Sequence, residues 1–321
     1  MDSVIEADDD IWEGSLHTGS LGTFMNQPRV QPKASQLKSI GATVGILGFP
    51  WDGTCISRPG TQMGPRGLRE ASEQFLPYNS NTGVDLNKAF TIVDCGDVPV
   101  VPGNPSASQD RAEAAMAEIL AADAIGIVLG GEHSITIGPS RAFAKKFERC
   151  GMIHFDTHYD TAEEIGGETL SHCCPVARAV EAGFDPQKIV TIGPSGWLNP
   201  RSELEYAKKH GINLFTLDDV WALGANAIAE KTQEIMSQDV DAIYLTVDID
   251  VLDAAYAPGT GVPTPCGMTS REIITIISGF HGLPIRAIDV AEVSPPWDPS
   301  GITSRLGVRI LLEALSAVAR K

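Results

Sequence analysis

Residues 153–161 read IHFDTHYDT, which places Asp156, His158 and Asp160 at every second position behind an apolar run. An extended backbone turns alternate side chains to opposite faces, so these three groups are expected to point the same way. Two carboxylates and an imidazole on one face suit a hard or borderline divalent cation. A polar loop facing water would look the same in isolation, so the remainder of the chain has to decide.

The elements that must position such a cluster are legible. Apolar, β-branched runs recur at 43–49, 90–94, 125–130, 152–156, 189–193, 212–217, 242–248 and 285–291, giving eight expected strands. Segments 108–122, 224–236 and 270–280 between them carry helical spacing. Alternation of strand and helix predicts a mostly parallel sheet covered on both faces, a single three-layer α/β/α domain over 41–321. Residues 1–40 lack sustained periodicity and are expected to form an arm that packs on the body or on a neighbouring subunit.

Open parallel sheets bind ligands beyond the carboxyl ends of their strands. Four of the runs end in the chain's most reactive clusters: 125–130 in GGEHS with His133, 152–156 in DTHYD, 242–248 in DIDVLD with Asp248 and Asp250, and 285–291 in EVSPP with Glu292. His133, Asp156, His158, Asp160, Asp248 and Asp250 make two imidazoles and four carboxylates, more than one catalytic ion needs if it keeps an open position. Two ions are implied, with Mn²⁺ and Ni²⁺ both compatible with these donors. A pair of ions about 3.5–4 Å apart can make water a nucleophile near neutral pH, so metal-assisted hydrolysis is the expected chemistry.

A net charge of −17 argues against nucleic acid, whose affinity rests on clustered Lys and Arg. It is compatible with a cationic substrate, although solubility explains most of it. The opening MDSVIEADDDIWEG has no basic, apolar leader and no run approaches a membrane span, so a cytosolic protein is expected. Six cysteines without Cys-x-x-Cys spacing are expected to be free thiols.

Together, GGEHS, FDTHYD, SHCCP, DIDVLDAAYAPGTG and EVSPPWDPSGITS resemble the ureohydrolase family of arginase and agmatinase, and residues 48–72 resemble its agmatinase-type opening. The resemblance spans about 43 to 315. It implies an arginase-like fold with an eight-stranded sheet, two metals, usually Mn²⁺, and cleavage of a guanidinium C–N bond to release urea and an amine. It further implies one ion on His133, Asp156, Asp160 and Asp248 and the other on Asp156, His158, Asp248 and Asp250. Glu292 would receive the guanidinium and His172 would shuttle protons. A homo-oligomer, trimer or hexamer, is the implied assembly, with a paralogous subunit as a further partner.

Departures from the family pattern fall at Cys173, Cys174, Trp197 and Val262, where relatives carry small or hydrogen-bonding residues. Each removes a polar group or adds bulk, so the expectation is a compact or N-alkylated substrate such as guanidine, an alkylguanidine or a biguanide. Agmatine or a guanidino acid is the alternative. A non-catalytic partner subunit is the rival from another class, disfavoured because all six ligands, Glu292 and His172 are present.

Overall fold

The computed structural model describes residues 22–320. All eight expected runs form strands: β1 Val44–Phe49, β2 Ile92–Asp97, β3 Ile125–Gly130, β4 Cys150–Phe155, β5 Ile189–Ile192, β6 Asn213–Phe215, β7 Ala242–Asp248 and β8 Ile285–Ala291. They build one sheet in the order β2-β1-β3-β8-β7-β4-β5-β6, and every pairing is parallel. β1, β3, β4, β5 and β7 are buried at every position, which is why they read as continuous apolar runs rather than alternating ones.

Alternate residues feed two cores. Val44 and Ile46 of β1 join one face, with Ile273, Ile276, Val308 and Leu311 from the helices Ser270–Ser278 and Ile302–Ala319. Leu47 and Phe49 join the other, with Met116, Ile119 and Phe143 from Pro105–Ala121 and Ile137–Lys146. The result is the three-layer arrangement that the alternation of elements predicts.

Boundaries moved where polar groups did the work. The helix expected over 108–122 begins at Pro105, because the Asn104 side chain accepts the Ala107 N–H and proline suits the first turn. β2 runs on to Asp97, past the end suggested by Asp94, because the fully buried Arg69 guanidinium meets both acids: Nε to Asp94 Oδ2 at 2.8 Å and Nη1 to Asp97 Oδ1 at 2.5 Å. Asp94 Oδ2 also accepts the N–H of buried Phe24 at 2.8 Å, tying residues ahead of β1 to the body. Of the arm expected over 1–40, residues 1–21 lie outside the described residues, and 34–39 form a helix. All six cysteines are free. Among the described residues no helix is long and apolar enough to cross a membrane.

The sheet order matters for function. β3, β8, β7 and β4 are consecutive neighbours at its centre, and these are the four strands whose carboxyl ends carry His133, Glu292, Asp248 with Asp250, and Asp156 with His158 and Asp160. Residues up to 159 positions apart in sequence are thereby brought to one crevice.

Candidate metal centre and guanidinium pocket

His133 opens the 3₁₀ turn His133–Thr136 directly after β3. Its Nδ1 is approached by three carboxylate oxygens: Asp156 Oδ2 and Asp160 Oδ2 at 3.0 Å, and Asp248 Oδ2 at 3.2 Å. One ring nitrogen supplies at most one proton, so hydrogen bonding cannot satisfy this convergence. His133 Nδ1 and Asp250 Oδ1 are both buried polar atoms without a well-formed hydrogen bond. Neighbouring donors about 3 Å apart are what an octahedral shell with bonds of about 2.1 Å requires. The residues therefore fit a divalent cation, and two overlapping groups of donors can hold one each: His133, Asp156 and Asp160 together with His154, and Asp156, His158 and Asp250. Asp248 adjoins the first through His133 and the second through its Oδ1, which accepts the Asp250 N–H at 2.8 Å.

The electrostatics describe a cluster short of positive charge. Burial, and then the neighbouring Asp156, push Asp160 up to about 8. Burial with Asp248 and Asp156 drives Asp250 well above the usual carboxylate range. Burial also opposes ionisation of Asp156, but bonds from His133, His154 and His158 outweigh it and hold that carboxyl well below. His158 is disfavoured as a cation by burial yet lifted to about 9 by Asp156.

The convergence has a different local origin from the alternation expected of an extended strand. β4 stops at Phe155, residues 157–158 bend, and Asp160 adopts φ 51°. Glu292 likewise sits at φ 61°. Such conformations cost on the order of 1–3 kcal/mol and persist where the surroundings determine them. Here the Asp160 carbonyl accepts the Val176 N–H, and the Glu292 N–H donates to the Gly131 carbonyl. Gly131 cannot be replaced without a shift, since a Cβ there would lie 1.9 Å from the Trp51 carbonyl oxygen.

Beside the cluster, Glu292 Oε1 accepts from the His133 N–H at 3.0 Å and from His172 Nδ1 at 3.1 Å. That leaves Oε2 for an incoming group. His172 Nε2 accepts the Ile56 N–H at 3.3 Å, so Nδ1 carries the proton toward Glu292. Burial disfavours charge on His172, but Cys173, Glu292 and Glu132 outweigh it and raise its proton affinity. The segment bearing Ile56 is pinned by Thr54 Oγ1 to Glu132 Oε1 at 2.5 Å and by Arg58 to the Thr260 and Gly261 carbonyls.

These groups open into a cavity of about 290 Å³ walled by Ile56, Ser57, Ile165, Cys173, Leu198, Pro200, Glu203 and Val262. All six expected metal-site residues, His172 and Glu292 come together here; of the four expected pocket-shaping residues, only Cys173 and Val262 belong to the wall. Trp197 stands fully exposed: the Asn199 amide is bonded to the Thr157 and Ser195 carbonyls, and the loop sets Pro200 and the still half-exposed Leu198 along the cavity instead. Cys174 is wholly buried where the helix Pro175–Ala182 begins.

Four residues with roles here escaped sequence reading. His154, fully buried, contacts Asp156 Oδ2 through Nε2 at 3.0 Å; it is one further step back in the every-second-residue series. Glu132 stands next to His133 and forms a buried triad with His172 and Glu292. Glu203 and Asp289 carried no local signal: Glu203 stands on the helix Arg201–His210, which was not among the expected helices, and Asp289 lies inside β8.

A model of the arginase family matches residues 42–317. The mitochondrial guanidino acid hydrolase of Homo sapiens is 36% identical over 281 residues, covering 87% of this chain and 79% of that protein. The mitochondrial agmatinase of Gallus gallus is 34% identical, covering 87% and 82%. The solved structure of proclavaminate amidino hydrolase from Streptomyces clavuligerus superposes with a TM-score of 0.87 at 33% identity, covering 95% of this chain and 99% of that one. The chain belongs to the arginase family, and its relatives named above are hydrolases of guanidino compounds.

Proposed function

We propose that this chain hydrolyses an extended guanidino compound of the agmatine or guanidino-acid type, releasing urea and an amine. The observation that carries the reading is the Glu292 carboxylate, held by two donors on Oε1 and bordering both donor clusters and a cavity with room beyond a guanidinium. A planar guanidinium pairs well with such a carboxylate. Relatives named for guanidino acids and for agmatine support the substrate class.

Two divalent ions, manganese by family precedent, would be held by His133, Asp156, Asp160, Asp248, His158 and Asp250, and would supply a water activated for attack. Glu292 positions the cation so that its central carbon faces that water. The water oxygen bonds to this carbon, the C–N bond to the alkyl nitrogen breaks, and a proton reaches the departing amine. His172, with its proton on Nδ1 beside Glu292, is the group placed to exchange protons with the pocket.

Within this class the wall favours an amine tail over a carboxylate. Among the described residues no Lys or Arg lines the cavity, whereas Glu203 does. Arg58, on the bordering segment, is spent on two carbonyls and on the Trp297 ring 4.5 Å away. A carboxylate tail would be left unpaired beside an acid, at a cost of roughly 1–3 kcal/mol or more.

A second reading, an N-alkylated guanidine or a biguanide, is favoured by the apolar wall of Ile56, Ile165, Leu198 and Val262. It is weakened by Trp197 and Cys174, which were expected to narrow the pocket and do not reach it. Comparison of kcat/KM for agmatine, 4-guanidinobutyrate, arginine, guanidine, methylguanidines and biguanide by urea and amine release decides between them. Agmatine leading supports the first reading, and turnover confined to guanidines or biguanides supports the second. We also propose an oligomer of copies of this chain, for which the exposed Trp197 and Trp221 would provide apolar contact surface.

A further inference from the structure

His133 uses only one of its ring nitrogens toward the donor cluster, and the other begins a buried chain of hydroxyls. Its Nε2 lies 2.9 Å from Thr246 Oγ1. Thr246 Oγ1 is 3.4 Å from Thr136 Oγ1, and Thr136 Oγ1 donates to Asp289 Oδ2 at 2.9 Å. All four side chains are 1% exposed or less. The placement follows from register: Thr246 of β7 is paired directly with Asp289 of β8, and Thr246 is two residues before Asp248, on the same face of β7.

A hydroxyl has a single proton, and that fixes the direction of the chain. Thr136 commits its proton to Asp289, and the Thr246 hydroxyl faces both the same carboxylate and Thr136, so its proton goes to one of these two. Thr246 then has only lone pairs to offer His133, and Nε2 must be the protonated nitrogen. Nδ1 is thereby left bare where the Asp156, Asp160 and Asp248 oxygens converge.

We propose that Asp289 is a positioning residue for the metal centre: through Thr136 and Thr246 it fixes the tautomer and ring orientation of His133, so that Nδ1 is ready to ligate. Partners of this kind behind a ligating histidine orient the ring and raise its basicity, and their loss typically weakens metal affinity 10–100-fold. The inference rests on the metal reading above.

The test is equilibrium dialysis of Mn²⁺ against the purified chain with metal quantified by mass spectrometry, alongside circular dichroism. Thr246→Val keeps the side-chain shape and removes the link, so the affinity for the ion at His133 should fall 10–100-fold. Thr246→Ser restores the hydroxyl and should return affinity to within about threefold of the parent. Asp289→Asn should resemble Thr246→Val. If Thr246→Val does not fold, Asp289→Asn decides in its place. Parent affinity in folded Thr246→Val, or in folded Asp289→Asn where that variant stands in, or a serine variant as weak as the valine one, overturns the relay. A parent that binds no Mn²⁺ overturns the metal reading itself.

Discussion

His172 Nδ1 and Glu292 Oε1 lie 3.1 Å apart, and this bond joins the group placed to move protons to the group placed to hold the guanidinium. Glu292→Gln keeps the shape but loses the charge that pairs with a cation, so kcat/KM for any guanidino substrate should fall by at least 100-fold with bound metal unchanged. His172→Asn should also retain both ions and depress kcat more than KM. Steady-state kinetics combined with metal analysis reads both, and a His172→Asn enzyme as active as the parent would mark His172 as structural.

The donor clusters make separable predictions for the two ions. Asp250→Ala removes a donor found in only one cluster and should lose about one ion per chain; Asp156→Ala, shared by both, should lose both. Ions bound only by the folded chain stabilise it by mass action, about 2.7 kcal/mol at a concentration 100 times Kd. Chelation should therefore lower Tm by several degrees in the parent and less in Asp156→Ala. An equal shift in the two would contradict the assignment.

Thiol chemistry gives a pH dependence with a definite sign. Burial pushes Cys95, Cys150 and Cys174 from the ordinary 9.0 up to about 12. Between those values the folded chain keeps protons that the unfolded chain releases, so this contribution to stability is complete below pH 9 and is lost as pH rises toward 12. Urea midpoints should fall from pH 9 to 11, and the fall should be shallower in a Cys95→Ala, Cys150→Ala, Cys174→Ala variant. Iodoacetamide at pH 8 should modify the exposed Cys266 and spare these three. Identical slopes, or rapid modification of Cys95, would sink the argument.

Arg69 predicts a stability effect away from the chemistry. Both it and Asp94 have fully buried side chains, and Asp97 is nearly so. Arg69→Met leaves two acids without their partner and should cost about 3–5 kcal/mol in urea unfolding. A loss below about 1 kcal/mol would show that the acids find other partners.

Much of this was legible because strands buried on both faces announce themselves as apolar runs, and because parallel connections deliver strand ends to one edge. The six donors followed from residue type and position at those ends. Glu203 and Asp289 did not, since a carboxylate inside a helix or strand looks like a solvated or capping group until tertiary packing places it. Trp197 misled for the same reason: its bulk suggested a pocket wall, but with Asn199 bonded to Thr157 and Ser195 it is Leu198 that borders the cavity and the indole that stays outside. The bend after Phe155 was also hidden, because left-handed backbone at Asp160 has no marker in a non-glycine residue.

The central claim is tested most directly by urea release from agmatine by the Mn²⁺-loaded chain, measured beside Glu292→Gln at equal metal content. The account predicts one urea and one amine per agmatine consumed by the parent, and at least a 100-fold smaller kcat/KM in the variant. No urea from agmatine or any other guanidino compound with both ions bound, or equal turnover by Glu292→Gln, would contradict it.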